Sequence, residues 1–243
     1  MKKKVLGGLL AVSMIATMGA FNVSVSAAEK DNADIKIGFS SKDNSDTFVA
    51  AIADAAEAEA KELGVELLMY DAGGDVNKQI SDCETLLAAG VDALVVIPQS
   101  VEGSAPVVSM ANDAGVPIIV DNGDIGDKNY TAFVACTDQE SGELLGKWFM
   151  EESGLEKGSK VAIIEGPMGQ SGQVGRMAGF EEVGMLDYFD VVATQTANWK
   201  RDEAMALAED WITTYGDDLK AIICENDDMG MGALSSSTMP QTQ

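Results

Sequence analysis

Residues 116–123 read VPIIVDNG. An apolar run, 117–120, is followed at once by two polar residues, Asp121 and Asn122, and then by Gly123. A short Ile/Val run bounded by Gly and Pro signals reads as a strand covered on both faces, as in a parallel sheet. In open α/β sheets a ligand sits just outside the carboxyl ends of the strands. Asp121 and Asn122 are thereby placed where a small molecule is held. A carboxylate that only accepts, beside an amide that donates and accepts, suits a polyhydroxylated or amide-bearing ligand. The competing reading makes both residues ordinary turn formers.

On either side of this run, strand and helix patterns alternate with short connections. Strands are expected over 35–39, 65–70, 93–97, 117–120 and 130–134. Helices are expected over 47–63, with Phe48, Ile52, Ala56, Ala60 and Leu63 on one stripe, over 76–89 with Ile80, Leu86 and Leu87 inward, and over 101–114. Gly64, Gly90 and Gly115 close these helices. After a helix over 140–151 and a turn at 154–159 the pattern restarts. Strands are expected over 160–165, 189–194 and 221–224, with helices over 173–185 and 203–215 and another beginning near Asp228. Alternating buried strands and helices argue for parallel sheets with right-handed crossovers. The fold class is therefore α/β, with two doubly wound parallel-sheet lobes and a cleft between them, a common place for a ligand. The expected boundaries are 33–137 for the first lobe and 138–233 for the second.

The two ends read differently. Residues 1–27 have the form of a secretory signal: Lys2, Lys3 and Lys4, a long apolar stretch, then small residues at 25–27. Cleavage after Ala27 or Ala28 would release the chain outside the cytoplasm. An uncleaved anchor is the alternative. Residues 234–243, LSSSTMPQTQ, carry Pro240 and no apolar stripe, and read as an irregular tail. With three strands, the second lobe reads as incomplete, which points to a truncated or frame-shifted reading frame. Weak or absent ligand affinity follows as an expectation for this chain. A natural short form with a disordered tail is the alternative.

Composition removes whole classes of function. The 243 residues carry 40 Asp and Glu against 16 Lys and Arg, a net charge of −24. Phosphate backbones are bound by Lys and Arg, so a nucleic-acid partner is not expected. The chain has no histidine. Ser-His-Asp and Cys-His catalysis and histidine metal sites are thereby excluded. Cys83, Cys136 and Cys224 match no metal spacing and read as small buried hydrophobes, with a Cys83–Cys136 bridge left open. The glycines of EGPMGQSG (165–172) follow GxxGxxG rather than the dinucleotide pattern, and carboxylate pairs such as Asp227 with Asp228 read as solvated. No enzyme activity, cofactor or metal is expected.

The residues just past the expected strand ends form a polar inventory. The first strand leads to 40–48, the third to 98–100, the fourth to Asp121 and Asn122, and the junction brings Asp138. The second lobe brings Gly166 to Arg176, then Asn198 and Trp199, then Glu225 to Asp228. Aromatic faces suit the C–H side of a sugar ring, while Asp, Asn and Arg suit its hydroxyls, and hydrogen bonds to charged groups are the stronger ones. Arg176 as a surface cation and Trp199 as a core aromatic are the bland alternatives.

The stretches DIKIGFSSKDNSDTF, GVDALVVIPQS, AGVPIIVDNG, GQVGRMAGF, ANWKRDEAM and AIICENDDMGMGA, in that order, resemble the ribose- and galactose-type periplasmic sugar-binding proteins of ABC importers, the type I solute-binding fold. The resemblance runs from about Ile35 to Ala233. It implies an exported receptor that captures a monosaccharide between its lobes and delivers it to a membrane ABC permease, with a monomer expected. It also implies the site. Phe48 matches an aromatic platform, Asp121 the carboxylate after the fourth strand, and Arg176, Trp199 and Asn226 the second-lobe set. Asn44 matches a polar residue of the first loop, which here looks one residue longer. Asn122 stands where ribose binders tend to carry Arg, so the sugar need not be ribose. The same fold also serves receptors that feed chemotaxis or two-component sensors, and lactose-repressor-type regulators, whose DNA-binding unit would stand where the export signal is.

Overall fold

The computed structural model describes residues 30–237. The expected signal segment, 1–27, and residues 238–243 of the expected tail lie outside the described residues.

Eight strands and eight α-helices alternate along this span. They run β1 (Lys36–Ser41), α1 (Thr47–Leu63), β2 (Glu66–Asp71), α2 (Val76–Ala88), β3 (Ala93–Val96), α3 (Pro106–Asp113), β4 (Ile118–Asp121), β5 (Ala132–Val134), α4 (Asp138–Glu151), β6 (Lys160–Glu165), α5 (Ser171–Glu182), α6 (Met185–Tyr188), β7 (Asp190–Thr196), α7 (Arg201–Tyr215), β8 (Leu219–Cys224) and α8 (Asp227–Ser237). The first five strands form one sheet in the order β2-β1-β3-β4-β5, and the last three a second in the order β7-β6-β8. Every pairing is parallel. Both sheets put the strand that opens them between the next two. In each, that strand order leaves a crevice at the carboxyl end where successive connections leave in opposite directions.

The α/β expectation with two parallel sheets holds, and the second lobe is the smaller. Its central strand shows why β6 reads as an unbroken apolar run. Val161 and Ile163 face a core shared with Phe180, Met185 and Ile223, while Ala162 and Ile164 face a core shared with Ala204, Trp211 and Met229. Both faces of the sheet are covered, so alternation disappears. The larger sheet is covered likewise. Leu94 and Val96 pack with Cys83, Leu86 and Val107 on one side, and Phe39 and Ile97 pack with Val49 on the other.

Several sequence expectations shift. The buried residues of α1 are Val49, Ala53 and Ala60, and Ile52 and Ala56 pack against the core around Val49, so the middle of the expected stripe holds while its ends, Phe48 and Leu63, are 61% and 40% exposed. Its start is fixed by Asp46, whose carboxylate accepts from the backbone N–H of Phe48 and Val49. The third helix begins at Pro106 rather than at 101, because Pro favours the first helical position. Leu234 to Ser237, expected to be irregular, continue α8. Cys136 is exposed rather than buried, and Cys83, Cys136 and Cys224 are all free thiols. The core also holds a polar hub unforeseen in the sequence. Buried Gln79 donates to the Ile97 carbonyl at 2.8 Å and accepts from the Gln99 N–H at 2.9 Å and the Ser104 hydroxyl at 2.7 Å. It ties α2 to the turn after β3.

Candidate functional site

Strand ends from both sheets converge on a hollow of about 420 Å³. The first lobe contributes Lys42 and Asp46 from the β1–α1 connection, Thr47 and Phe48 from the start of α1, and Asn122 from beyond β4. The second contributes Gly172 and Arg176 of α5, Trp199 from beyond β7, and Asn226, Asp227 and Asp228 from beyond β8, with Asp138 at the junction. Five of the seven residues singled out in the sequence are thus brought together: Phe48, Asn122, Arg176, Trp199 and Asn226. A second hollow of about 360 Å³ adjoins it, sharing Lys42, Asp46, Thr47, Trp199 and Asp228.

Asn44 and Asp121 are not among the residues lining this cleft. Asn44 is taken up in shaping its own loop. Its side-chain carbonyl accepts from the Ser41 hydroxyl at 2.5 Å, and its backbone N–H donates to Asp71 at 3.1 Å. Asp121 is still inside the ladder, opposite Val134 of β5. The strand runs one residue further than expected, so Asn122 rather than Asp121 is the first residue past its end. Partial burial raises the Asp121 pKa, against the lowering effect of the Asn122 backbone N–H.

Arg176 is fixed before any ligand arrives. One guanidinium nitrogen donates to the Glu225 carbonyl at 2.6 Å, and the other pairs with Asp138 at 3.2 Å. Asp138 is itself held by the Ser171 hydroxyl at 2.6 Å. The guanidinium carbon lies 5.4 Å from the centre of the Trp199 ring, within cation–π range. These anchors use one hydrogen on each terminal nitrogen, and the fork keeps further donors for hydroxyls.

Trp199 is 8% exposed and forms a wall. It lies so close to Gly166 that a Cβ there would fall 1.9 Å from its ring. Its indole N–H donates to Gln170 at 2.8 Å. Its backbone has φ 62°, and Asn122 and Asn198 have φ 55° and 52°. Among the described residues these are the non-glycine positions with positive φ. Asn tolerates that region, but for a bulky residue it is a real outlier. Such strain, about 1–3 kcal/mol each, concentrates where a side chain must be aimed. Here all three residues stand beside the two hollows.

Beneath the floor lies a buried carboxylate. Glu225 accepts from the Gly166 N–H at 2.7 Å. Burial pushes its pKa up to about 8, with nearby Glu165 adding to the rise. Burial also lowers the pKa of Lys42, against the raising effect of Asp46.

Chemically, the cleft combines an aromatic wall, an exposed aromatic at its rim, a pinned planar cation, two amides and several carboxylates. That combination covers C–H faces and satisfies hydroxyls. Lys42, Asp46, Asp227 and Asp228 also belong to it. All four are legible as strand-end residues, but their spacing does not distinguish them from solvated loop charges. A separate apolar hollow, beside the stacked rings of Tyr130 and Phe133, is lined by none of the seven.

Comparison with known proteins identifies the family and the fold. Residues 37–237 match the family described as periplasmic binding protein domain. The xylitol-binding protein of Mycolicibacterium smegmatis is 32% identical over 232 residues, spanning 93% of this chain and 65% of the relative. The ribose import binding protein of Bacillus subtilis is 29% identical, over 93% of this chain and 76% of the relative. Among solved structures, a galactofuranose binding protein superposes with a TM-score of 0.77 at 26% identity, covering 83% of this chain and 70% of the other. An ABC transporter solute binding protein from Bacillus halodurans with bound myo-inositol superposes with a TM-score of 0.76 at 30% identity, covering 85% and 71%. The chain therefore spans about two thirds to three quarters of the proteins it resembles.

Proposed function

The chain belongs to the periplasmic binding protein domain family, and from that premise we propose that it is the solute-binding component of an ABC importer. It captures a monosaccharide or a small polyol between its lobes, outside the cytoplasm, and hands it to a membrane permease. The four relatives described above carry the names of xylitol, ribose, galactofuranose and myo-inositol. All are small, neutral and rich in hydroxyls.

The observation that carries the reading is the pinned Arg176 beside the Trp199 wall. A cation immobilised by Asp138 and the Glu225 carbonyl needs little further ordering to meet a pair of hydroxyls, so little affinity is lost to immobilising it. The proposed contacts are Phe48 and Trp199 on the ring faces and Asn122, Arg176 and Asn226 on the hydroxyls. Lobes 33–137 and 138–233 would close over the ligand by its preference for the closed form. Export through the segment 1–27 belongs to the same proposal.

A thermal-shift screen with D-ribose, L-arabinose, xylitol and myo-inositol tests it. A molecule that binds only the folded form raises the melting temperature by mass action. At least one of the four is expected to do so at tens of millimolar, a range that registers the weak affinity expected from the sequence, and the rise should vanish in Arg176→Met. No shift with any of them, or a shift that survives that substitution, contradicts the reading.

A further inference from the structure

Gln170 stands at the N-cap of α5, but its side chain makes no capping bond to that helix. Glutamine is not among the preferred N-cap residues, so something other than the helix explains the choice. The residue is 5% exposed. Its side-chain oxygen accepts twice. Trp199 Nε1 donates to it at 2.8 Å, and Lys42 Nζ donates to it at 3.2 Å. A carbonyl oxygen has two lone pairs and can hold both donors together. Trp199 belongs to the second lobe and Lys42 to the first, 128 residues before Gln170 in the chain.

The loop that carries Gln170 touches the first lobe again nearby. The Val101 N–H, in the turn after β3, donates to the Gly169 carbonyl at 3.0 Å. Within its own lobe the loop is braced from below. The Gly169 N–H donates to Gln173 at 3.2 Å, Gln173 donates to buried Glu165 at 2.9 Å, and the Gly166 N–H donates to buried Glu225. The indole has little freedom to tilt, because Gly166 and Gly172 lie directly against it. One oxygen on a braced loop thus holds both the aromatic wall of the cleft and a cation from across it.

We propose that Gln170 is a positioning residue that couples the seating of the Trp199 wall to the closure of the two lobes. Each bond holds the Gln170 carbonyl in the orientation that the other needs, so a wall correctly placed for a ligand ring favours the closed arrangement. The proposal rests on the cleft being the binding site, but its test needs no ligand.

The test follows two resonances of the ¹⁵N-labelled, ligand-free chain: the Trp199 indole N–H and the Val101 amide, the latter through hydrogen exchange. Lys42→Met removes a donor from the first lobe only. It is expected to move the Trp199 indole resonance upfield and to speed Val101 exchange at least tenfold. The Ile163 amide of β6 should keep its native rate, which shows that the fold is intact. Gln170→Met should do the same, and Gln170→Glu, which retains an acceptor for both donors, should restore both readouts. The proposal is overturned if Lys42→Met leaves the Trp199 resonance and Val101 exchange as in the native chain. It is equally overturned if Gln170→Met shifts the indole but leaves Val101 untouched, since Gln170 would then support Trp199 alone. A failed sugar screen leaves either result standing, so the two proposals fail separately.

Discussion

Arg176 shows how far a single side chain can be read. Its place in GQVGRMAGF marks it as a second-lobe cation near a strand end, and the structure supplies its anchors, Asp138 and the Glu225 carbonyl. Lysine at this position cannot present a planar fork, so Arg176→Lys is expected to weaken sugar binding although the charge is kept. A charged hydrogen bond contributes about 1.5–3 kcal/mol, so the saturating curve of the best sugar, followed by ¹⁵N chemical shifts, should move about tenfold or more to higher concentration. Glu225 gives a second expectation. Its folded pKa of about 8 stands above the ordinary 4.5. Below pH 4.5 both folded and unfolded forms hold the proton, and the group contributes no difference. Between about 4.5 and 8 the unfolded chain releases it while the folded chain keeps it, so stability falls as pH rises. Glu225→Gln keeps an acceptor for the Gly166 N–H and should flatten that decline in urea melts taken across this range. The cysteines give a third. Cys136 is exposed, whereas burial raises the thiol pKa of Cys83 to about 11 and of Cys224 to about 12. A thiol reagent at pH 8 should label the native chain once, at Cys136, and the unfolded chain three times. Cys136 was not legible as an exposed residue, since its apolar neighbours Phe133, Val134 and Ala135 suggest burial while β5 is in fact exposed throughout.

At the scale of elements, the strands were the most legible, because β3, β4 and β6 appear as plain apolar runs, β6 being buried on both faces and β3 and β4 buried at alternate residues and part-buried between. Helix faces were less so. In α1 the middle of the expected stripe, Ile52, Ala56 and Ala60, packs inward, but Phe48 at its start lies at the rim of the cleft and Val49 is buried in its place. At the end of β4, Asp121 is still paired within the sheet, opposite Val134, and Asn122 is the residue that lines the cleft. Gly166, between β6 and α5, is where local sequence and site geometry are most tightly joined. An added Cβ would fall 1.9 Å from the Trp199 ring. Gly166→Ala must therefore push the indole off Gln170. Overpacking of this kind costs about 1–3 kcal/mol. Chemical denaturation should register that loss, together with a shift in tryptophan emission. Unchanged stability and emission would mean that the ring has room to move.

At the scale of the molecule, two sheets of the same opening order stand with their carboxyl ends toward a shared hollow. The doubling could be read from the restart of the pattern after Glu151, because alternating buried strands and helices admit few other arrangements. The cross-lobe contacts could not. Lys42 and Gln170 are 128 residues apart and neither carries a local signal of the other. Occupation of the cleft between the lobes by a small polyhydroxyl ligand can be followed by titrating the ¹⁵N-labelled chain with ribose, xylitol and myo-inositol into the tens of millimolar, a range that also registers weak binding. At least one of them is expected to move the Trp199 indole and the Asn122 and Asn226 side-chain amides along a common saturating curve. Resonances that stay still with all three, or that move only around Tyr130 and Phe133, would contradict it.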